Sequence, residues 1–306
     1  MRRLDAMVIG APAVAAVWIA AARAEEGVIQ NRDVVYAVRD QADGTKLELK
    51  MNVFRPGDEE ASGKAGEAGE GRACIMVIHG GGWAAGKRED MDGVAQFFAQ
   101  RGFVATTISY RLAPANPFPA QVIDCAEAVK FMRSHAAEYG IDGQRIGAVG
   151  VSAGAHLSMM LDTLDAADGF NVGPDEAGGV SGKVQAAVSV VGPTLLNADD
   201  VPVNTRGIVD GFIGAEAAGR DDRCIKASPL TYVSAGDGPI LLFAGTEDPL
   251  VPATQALRMT MAMGKAGIMG RAEIIAGAGH GWMGPELDRT LAASVAFFEQ
   301  HLNKKP

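Results

Sequence analysis

The chain has 306 residues and a mass of 31.8 kDa, and its 48% apolar and 21% charged residues supply a sizeable core and exclude a disordered chain. A net charge of −9 and a pI near 5.1 argue against nucleic-acid binding. No apolar span of about 20 residues lies beyond the N-terminus, which excludes a multi-span membrane protein.

Arg2 and Arg3 precede a charge-free, mostly apolar run from Ala6 to Ala22, closed by Ala22-Arg23-Ala24. A basic start, an apolar middle and an A-x-A end read as a secretory signal peptide over residues 1–24, cut after Ala24. An uncleaved membrane anchor is the alternative. Cleavage would leave residues 25–306 as one domain, secreted or periplasmic, with no stable membrane insertion. The three cysteines, Cys74, Cys125 and Cys224, are an odd number and read as buried free thiols, although an exported compartment permits one disulfide. No pair has metal-ligand spacing.

Alternation of Leu47, Leu49, Met51 and Val53 with polar residues predicts a strand, with Val34 to Val38 as its hairpin partner. Gly57 to Arg72, rich in Gly, Glu, Ala and Ser, reads as a surface loop between neighbouring strands. Strands and helices then alternate. Ala73–Ile78, Phe103–Ser109, Arg145–Val149, Val184–Val190, Ile240–Ala244 and Arg271–Ile275 read as strands. Asp92–Gln100, Ala120–Tyr139, Ala153–Leu164, Thr254–Lys265 and Asp288–Leu302 read as helices. This order predicts an α/β fold, a mostly parallel central sheet with helices on both faces. Residues 192–226 have little periodicity and read as an excursion over the sheet edge, with a cap as the open alternative.

Gly150-Val151-Ser152-Ala153-Gly154 directly follows a predicted strand and opens a helix. A turn this sharp needs tiny flanking side chains, and it lifts the Ser152 hydroxyl clear of the sheet at a helix N-terminus. His79-Gly80-Gly81-Gly82-Trp83 also follows a strand. Successive glycines let backbone N–H groups converge where negative charge develops. The loop lacks the spacing of a nucleotide-binding glycine loop, and His79 reads as a residue fixing it.

Ser152 calls for a base and an orienting acid. Of five histidines, His135 reads as exposed, His156 as a core or supporting residue, and His301 lies near the C-terminus. His280, in Gly277-Ala278-Gly279-His280-Gly281-Trp282, follows the last predicted strand and is the candidate base. Gly245-Thr246-Glu247-Asp248-Pro249 follows another strand and offers Asp248 as the acid, with Glu247 as the neighbouring alternative. Asp237 precedes its strand and so lies at the wrong end of the sheet, because sites in open α/β sheets form at strand C-terminal ends.

With these motifs the chain resembles α/β-hydrolase esterases that carry an HGGGW oxyanion loop. Tyr110-Arg111-Leu112-Ala113-Pro114, Phe118-Pro119-Ala120-Gln121, Ser228-Pro229-Leu230 and Asp248-Pro249-Leu250-Val251-Pro252 extend the match over about residues 30–302. The resemblance is to secreted carboxylesterases and to carbohydrate esterases related to bacterial feruloyl and acetylxylan esterases. Hormone-sensitive-lipase-like relatives carry Asp where Val151 stands and an N-terminal helical cap that residues 25–46 do not supply, so the chain stands beside that group. The resemblance implies an α/β-hydrolase fold and oxyanion donors at the N–H groups of Gly81, Gly82 and Ala153. Trp83 and Trp282 adjoin these motifs, either as core packing or as walls of the substrate pocket.

The expected activity is that of a serine esterase using Ser152, His280 and Asp248, with no metal or organic cofactor. Its expected partner is a small-molecule or oligosaccharide ester with a short-acyl or hydroxycinnamoyl group. The rivals are an amide hydrolase of kynurenine-formamidase-like or peptidase-like type, and a non-catalytic binding module on the same scaffold.

Overall fold

A computed structural model describes residues 27–41, 43–57, 71–172, 179–214 and 219–302. The signal-peptide reading at 1–24, and most of the loop read over 57–72, lie outside them. β1 (Val28–Asp40) and β2 (Lys46–Pro56) form an antiparallel hairpin at one edge of an eight-stranded sheet. β3 (Arg72–Ile78), β4 (Val104–Ile108), β5 (Ile141–Val151), β6 (Ala186–Val190), β7 (Ile240–Gly245) and β8 (Gly270–Ile275) are parallel to one another. The spatial order is β1-β2-β4-β3-β5-β6-β7-β8.

One expectation fails here: β2 and β3 are not neighbours. β4 lies between them, antiparallel to β2 and parallel to β3. β2 and β3 are thus one strand position apart, and local sequence carries no mark of a partner that arrives some thirty residues after β3 begins.

β3, β4, β6 and β7 read as near-continuous apolar runs because helices cover both faces. On one face lie α1 (Asp92–Ala99) and α8 (Pro285–Leu302), whose Phe98, Phe297 and Phe298 pack with Phe54, Phe103 and Val149. On the other lie α2 (Ala120–Ser134), α4 (Ala153–Thr163) and α7 (Thr254–Ala266). Burying each large apolar side chain contributes about 1.5–3 kcal/mol.

The helix expected over 120–139 breaks at His135, whose backbone leaves the helical region, and a single turn, α3 (Ala136–Tyr139), follows. Gly140, at φ +67°, ends that turn in the left-handed conformation, so β5 begins four residues earlier than the apolar run indicates.

The segment 192–226 is also more than an edge excursion. It carries α5 (Val203–Ile213) and α6 (Arg220–Lys226). α5 crosses the C-terminal ends of the strands: Thr205 Oγ1–H donates to Leu250 O at 2.9 Å, and the Phe118 N–H donates to Phe212 O at 2.7 Å. The thiols of Cys74, Cys125 and Cys224 are all free and buried, and burial raises that of Cys74 to about 12.

Candidate active site

Ser152 sits between β5 and α4 with φ 55° and ψ −117°, outside the regions an ordinary L-residue prefers. The surroundings hold it there. Its N–H donates to Val190 O on the adjoining strand at 2.8 Å, and its carbonyl accepts the His156 N–H at 3.0 Å. The flanking glycines are obligatory for steric reasons. A Cβ on Gly150 would overlap the Gly154 carbonyl, and one on Gly154 would overlap the Ile78 carbonyl at the root of the glycine loop. Strained backbone of this kind, held by its neighbours, is characteristic of functional turns.

The glycine loop lies directly against that turn. A Cβ on Gly80 would come 2.8 Å from Val151 O and 3.4 Å from Ser152 Cβ. Gly81 and Gly82 have φ of +113° and +59°. Ala153 is the first residue of α4, so its N–H has no acceptor within the helix. The three expected oxyanion donors thus belong to two abutting elements. His79 braces the loop: its ring stacks on Tyr110 at 4.2 Å, and the Tyr110 hydroxyl donates to His79 O at 3.0 Å. Burial lowers the His79 pKa. Arg111, next to Tyr110, pairs with the buried Asp124 through Nε and Nη2, each at 2.8 Å, and Arg39 Nε reaches the same carboxylate at 3.1 Å.

Two further loops bring in Asp248 and His280, the candidate acid and base. Gly245, at the end of β7, lets the loop over 277–281 approach closely, since a Cβ there would overlap Ala278 O and Gly279 O. Three hydrogen bonds then zip the loops together. Thr246 N–H donates to Ile275 O, Glu247 N–H to Ala278 O, and Gly277 N–H to Thr246 Oγ1. Asp248 Oδ1 accepts the N–H groups of Leu250 at 2.8 Å and Val251 at 2.9 Å, and Oδ2 lies 2.7 Å from His280 Nδ1. His280 Nε2 is 2.9 Å from Ser152 Oγ. The side chains of Asp248 and His280 are 0% and 5% exposed. A carboxylate on Nδ1 fixes the tautomer whose Nε2 lone pair faces the serine hydroxyl. Glu247 points to solvent. Asp237 pairs with Lys183 at 2.9 Å, before β7, at the other end of the strand.

α5 roofs the site. A Cβ on Gly82 would come 2.8 Å from Ile208 Cγ2, so this side chain stands over the glycine loop. No sequence motif marks Ile208, an apolar residue 37% exposed on a helix that buries Val209, Phe212 and Ile213. The chain leading into α5 is pinned from below. Gln255, buried on α7, accepts the Thr194 and Leu195 N–H groups at 2.9 and 2.8 Å, and Ser228 Oγ accepts the Leu196 N–H at 2.9 Å.

The reading of Trp83 and Trp282 as pocket walls is corrected here. Trp83 is 3% exposed, stacked on Phe212 at 4.1 Å, with its indole N–H directed at His156 Nδ1. Trp282 is 7% exposed, packs on Phe243, and donates to Thr290 Oγ1 at 2.9 Å. Both indoles spend their surface on the interior and brace the loops beside them. His135 is half-buried against Phe131, and His301 lies against Phe297. Among the described residues no cluster of His, Cys, Asp or Glu is arranged to hold a metal, and no helix is long and apolar enough to cross a membrane.

A strand–serine–helix turn at the centre of a mostly parallel sheet, with an acid and a histidine delivered from the next strand ends, defines an α/β-hydrolase fold. A family model, BD-FAE, matches residues 64–263, about two-thirds of the sequence, and the chain belongs to that family. Curated relatives from Mycobacterium tuberculosis include the protein named probable carboxylic ester hydrolase LipM, 30% identical over 67% of this chain and 46% of its own length. Another is esterase LipQ, 30% identical over 64% and 47%. The chain spans about half the length of these relatives. Among solved structures, a truncated carbohydrate esterase from gut microbiota superimposes with a TM-score of 0.74 at 22% identity, covering 93% of this chain and all of that one. A thermophilic esterase of Thermogutta terrifontis in a propionate-bound form gives 0.70 at 25% identity, covering 92% and 97%.

Proposed function

We propose that the chain is a serine carboxylesterase acting on short-acyl or hydroxycinnamoyl esters, carbohydrate-borne esters among them, and that it works outside the cytoplasm after removal of residues 1–24. The observation that carries this reading is the hydrogen-bonded series Asp248–His280–Ser152, at 2.7 and 2.9 Å, beside the glycine loop. In this mechanism Ser152 Oγ attacks the ester carbonyl while His280 Nε2 takes its proton. The carbonyl oxygen becomes the oxyanion facing the Gly81, Gly82 and Ala153 N–H groups. Collapse expels the alcohol, which takes the proton back from His280, and leaves an acyl-Ser152. Water, deprotonated by His280, then releases the acid and restores the serine. Asp248 holds the imidazole tautomer and stabilises the imidazolium.

Ile208 over Gly82 supports a preference for short acyl groups, and so does the propionate held by the Thermogutta relative. The apolar A-x-A leader supports export. The test is kcat/KM across p-nitrophenyl esters of increasing acyl length, with acetylated and feruloylated oligosaccharides and N-formylkynurenine alongside. Acetyl to butyryl esters should exceed decanoyl esters by at least about tenfold, or about 1.4 kcal/mol in transition-state binding. A maximum at long chains, or a preference for the formamide over every ester, overturns the reading.

A further inference from the structure

The helix that carries Ser152 and the loop that carries Gly81 and Gly82 are joined by one buried imidazole. His156 lies on α4 one turn after Ser152 and is fully buried. Its Nε2 is 2.6 Å from Ala227 O, which can only accept, so Nε2 carries the proton. Nδ1 is therefore an acceptor, and the Trp83 indole N–H points at it from 3.3 Å. Both contacts are satisfied by one neutral tautomer, and burial, which lowers the pKa to about 4, keeps the ring neutral.

Trp83 follows Gly82 directly, with φ +59°, and its main chain is anchored where Trp83 O accepts the Ala113 N–H at 2.9 Å. Its ring is clamped between Phe212, stacked at 4.1 Å, and His156, edge-on at 5.1 Å. Two of the three oxyanion donors belong to the glycine loop and the third, Ala153, to α4. Their spacing depends on what locks the loop to the helix. Apolar packing alone lets a ring slide, whereas a hydrogen bond to a side chain on the serine's own helix fixes distance and direction.

We propose that His156 is a positioning residue. By accepting the Trp83 N–H while donating to Ala227 O, it holds the Gly81–Gly82 donors in register with Ser152 and Ala153. This rests on the esterase reading above. Its effect belongs to the transition state, because those donors meet a full negative charge only there.

The experiment compares wild type with Trp83→Phe, His156→Gln, His156→Leu and the Trp83→Phe/His156→Leu pair. A fluorophosphonate probe counts competent serines, and kcat and KM for p-nitrophenyl butyrate are expressed per labelled site. Trp83→Phe keeps the ring stack and loses only the N–H donor. It and His156→Leu should each lower kcat about tenfold to a hundredfold, with KM changed by less than about twofold. The pair should be no worse than His156→Leu alone, since both changes remove the same link. His156→Gln, with a carbonyl for the indole and an N–H for Ala227, should recover much of the loss. Should His156→Leu fail to fold, Trp83→Phe and His156→Gln carry the comparison. Wild-type kcat per labelled site in Trp83→Phe, or multiplicative effects in the pair, overturns the positioning role while leaving the esterase reading intact. A wild type that neither labels nor hydrolyses esters overturns the esterase reading itself, and the positioning role with it.

Discussion

Asp248 and His280 are 32 residues apart in sequence and 2.7 Å apart in space. The contact is made by backbone geometry before it is made by charge. The loops after β7 and β8 are laced together by Thr246, Glu247 and Gly277, and Gly245 leaves no side chain in the way of Ala278 O and Gly279 O. The carboxylate is held in turn by two amide N–H groups of its own turn, so it reaches the imidazole pre-oriented.

Removing Ser152 or His280 should therefore have nearly the same effect. Ser152→Ala and His280→Ala should each lower kcat by up to about 10⁶, because the two act as a unit. Asp248→Asn should cost less, about 10⁴, through the wrong tautomer. Glu247→Gln, at a solvent-facing position, should stay within about twofold of wild type. Steady-state kinetics on a short-chain ester check all four. Near-normal turnover in folded Ser152→Ala removes the serine from its assigned role.

Ile208→Ala opens the space above Gly82. The ratio of kcat/KM for octanoyl over butyryl ester should rise about tenfold, equivalent to about 1.4 kcal/mol. An unchanged ratio places the acyl chain away from α5.

Asp124 receives Arg111 and Arg39 while fully buried. Asp124→Asn leaves two guanidinium groups without their counter-charge, and should cost about 3–5 kcal/mol in urea denaturation. Since Arg111 adjoins the Tyr110 that braces His79, activity should fall at temperatures where the fold still holds. A loss under about 1 kcal/mol would show the pair to be screened like a surface one.

The depressed pKa of His156, about 4 against 6.5 in a free side chain, makes a prediction about pH. The unfolded chain binds this proton more readily than the folded one. The stability it confers is complete above about pH 6.5 and is lost as pH falls towards 4. The full amount is about 3 kcal/mol. Denaturation curves at intervals from pH 7 to 4 should show wild type losing about that much more than His156→Gln. Parallel losses in the two proteins would assign the acid sensitivity to other groups.

The turn at Ser152, the glycine loop, and the placement of Asp248 and His280 after β7 and β8 are legible in the sequence because each rests on a short-range steric demand: glycine at a fixed offset beside a strand end. The strand pairing of β2 with β4 was not legible, since register across a sheet is decided by partners far along the chain. Whether residues 192–226 cover the site stays open in the sequence for a different reason. α5 is half exposed, and what fixes it is the Thr205 bond to Leu250 O together with the bonds by which Gln255 and Ser228 hold Thr194 to Leu196 ahead of it, which no periodicity records. The indoles at Trp83 and Trp282 show the limit of adjacency. Each stands beside a site motif and yet turns inward, because an aromatic ring with an N–H donor finds its best partners in the interior.

The roof segment is hydrogen-bonded to the body of the fold at Thr194, Leu195, Leu196 and Thr205, which should make it a fixed cover and not a moving lid. On the proposed esterase reading, a cover that does not open should admit substrate one dissolved molecule at a time. The rate should rise hyperbolically with monomeric ester and level off below the solubility limit, with no jump when the ester begins to form droplets.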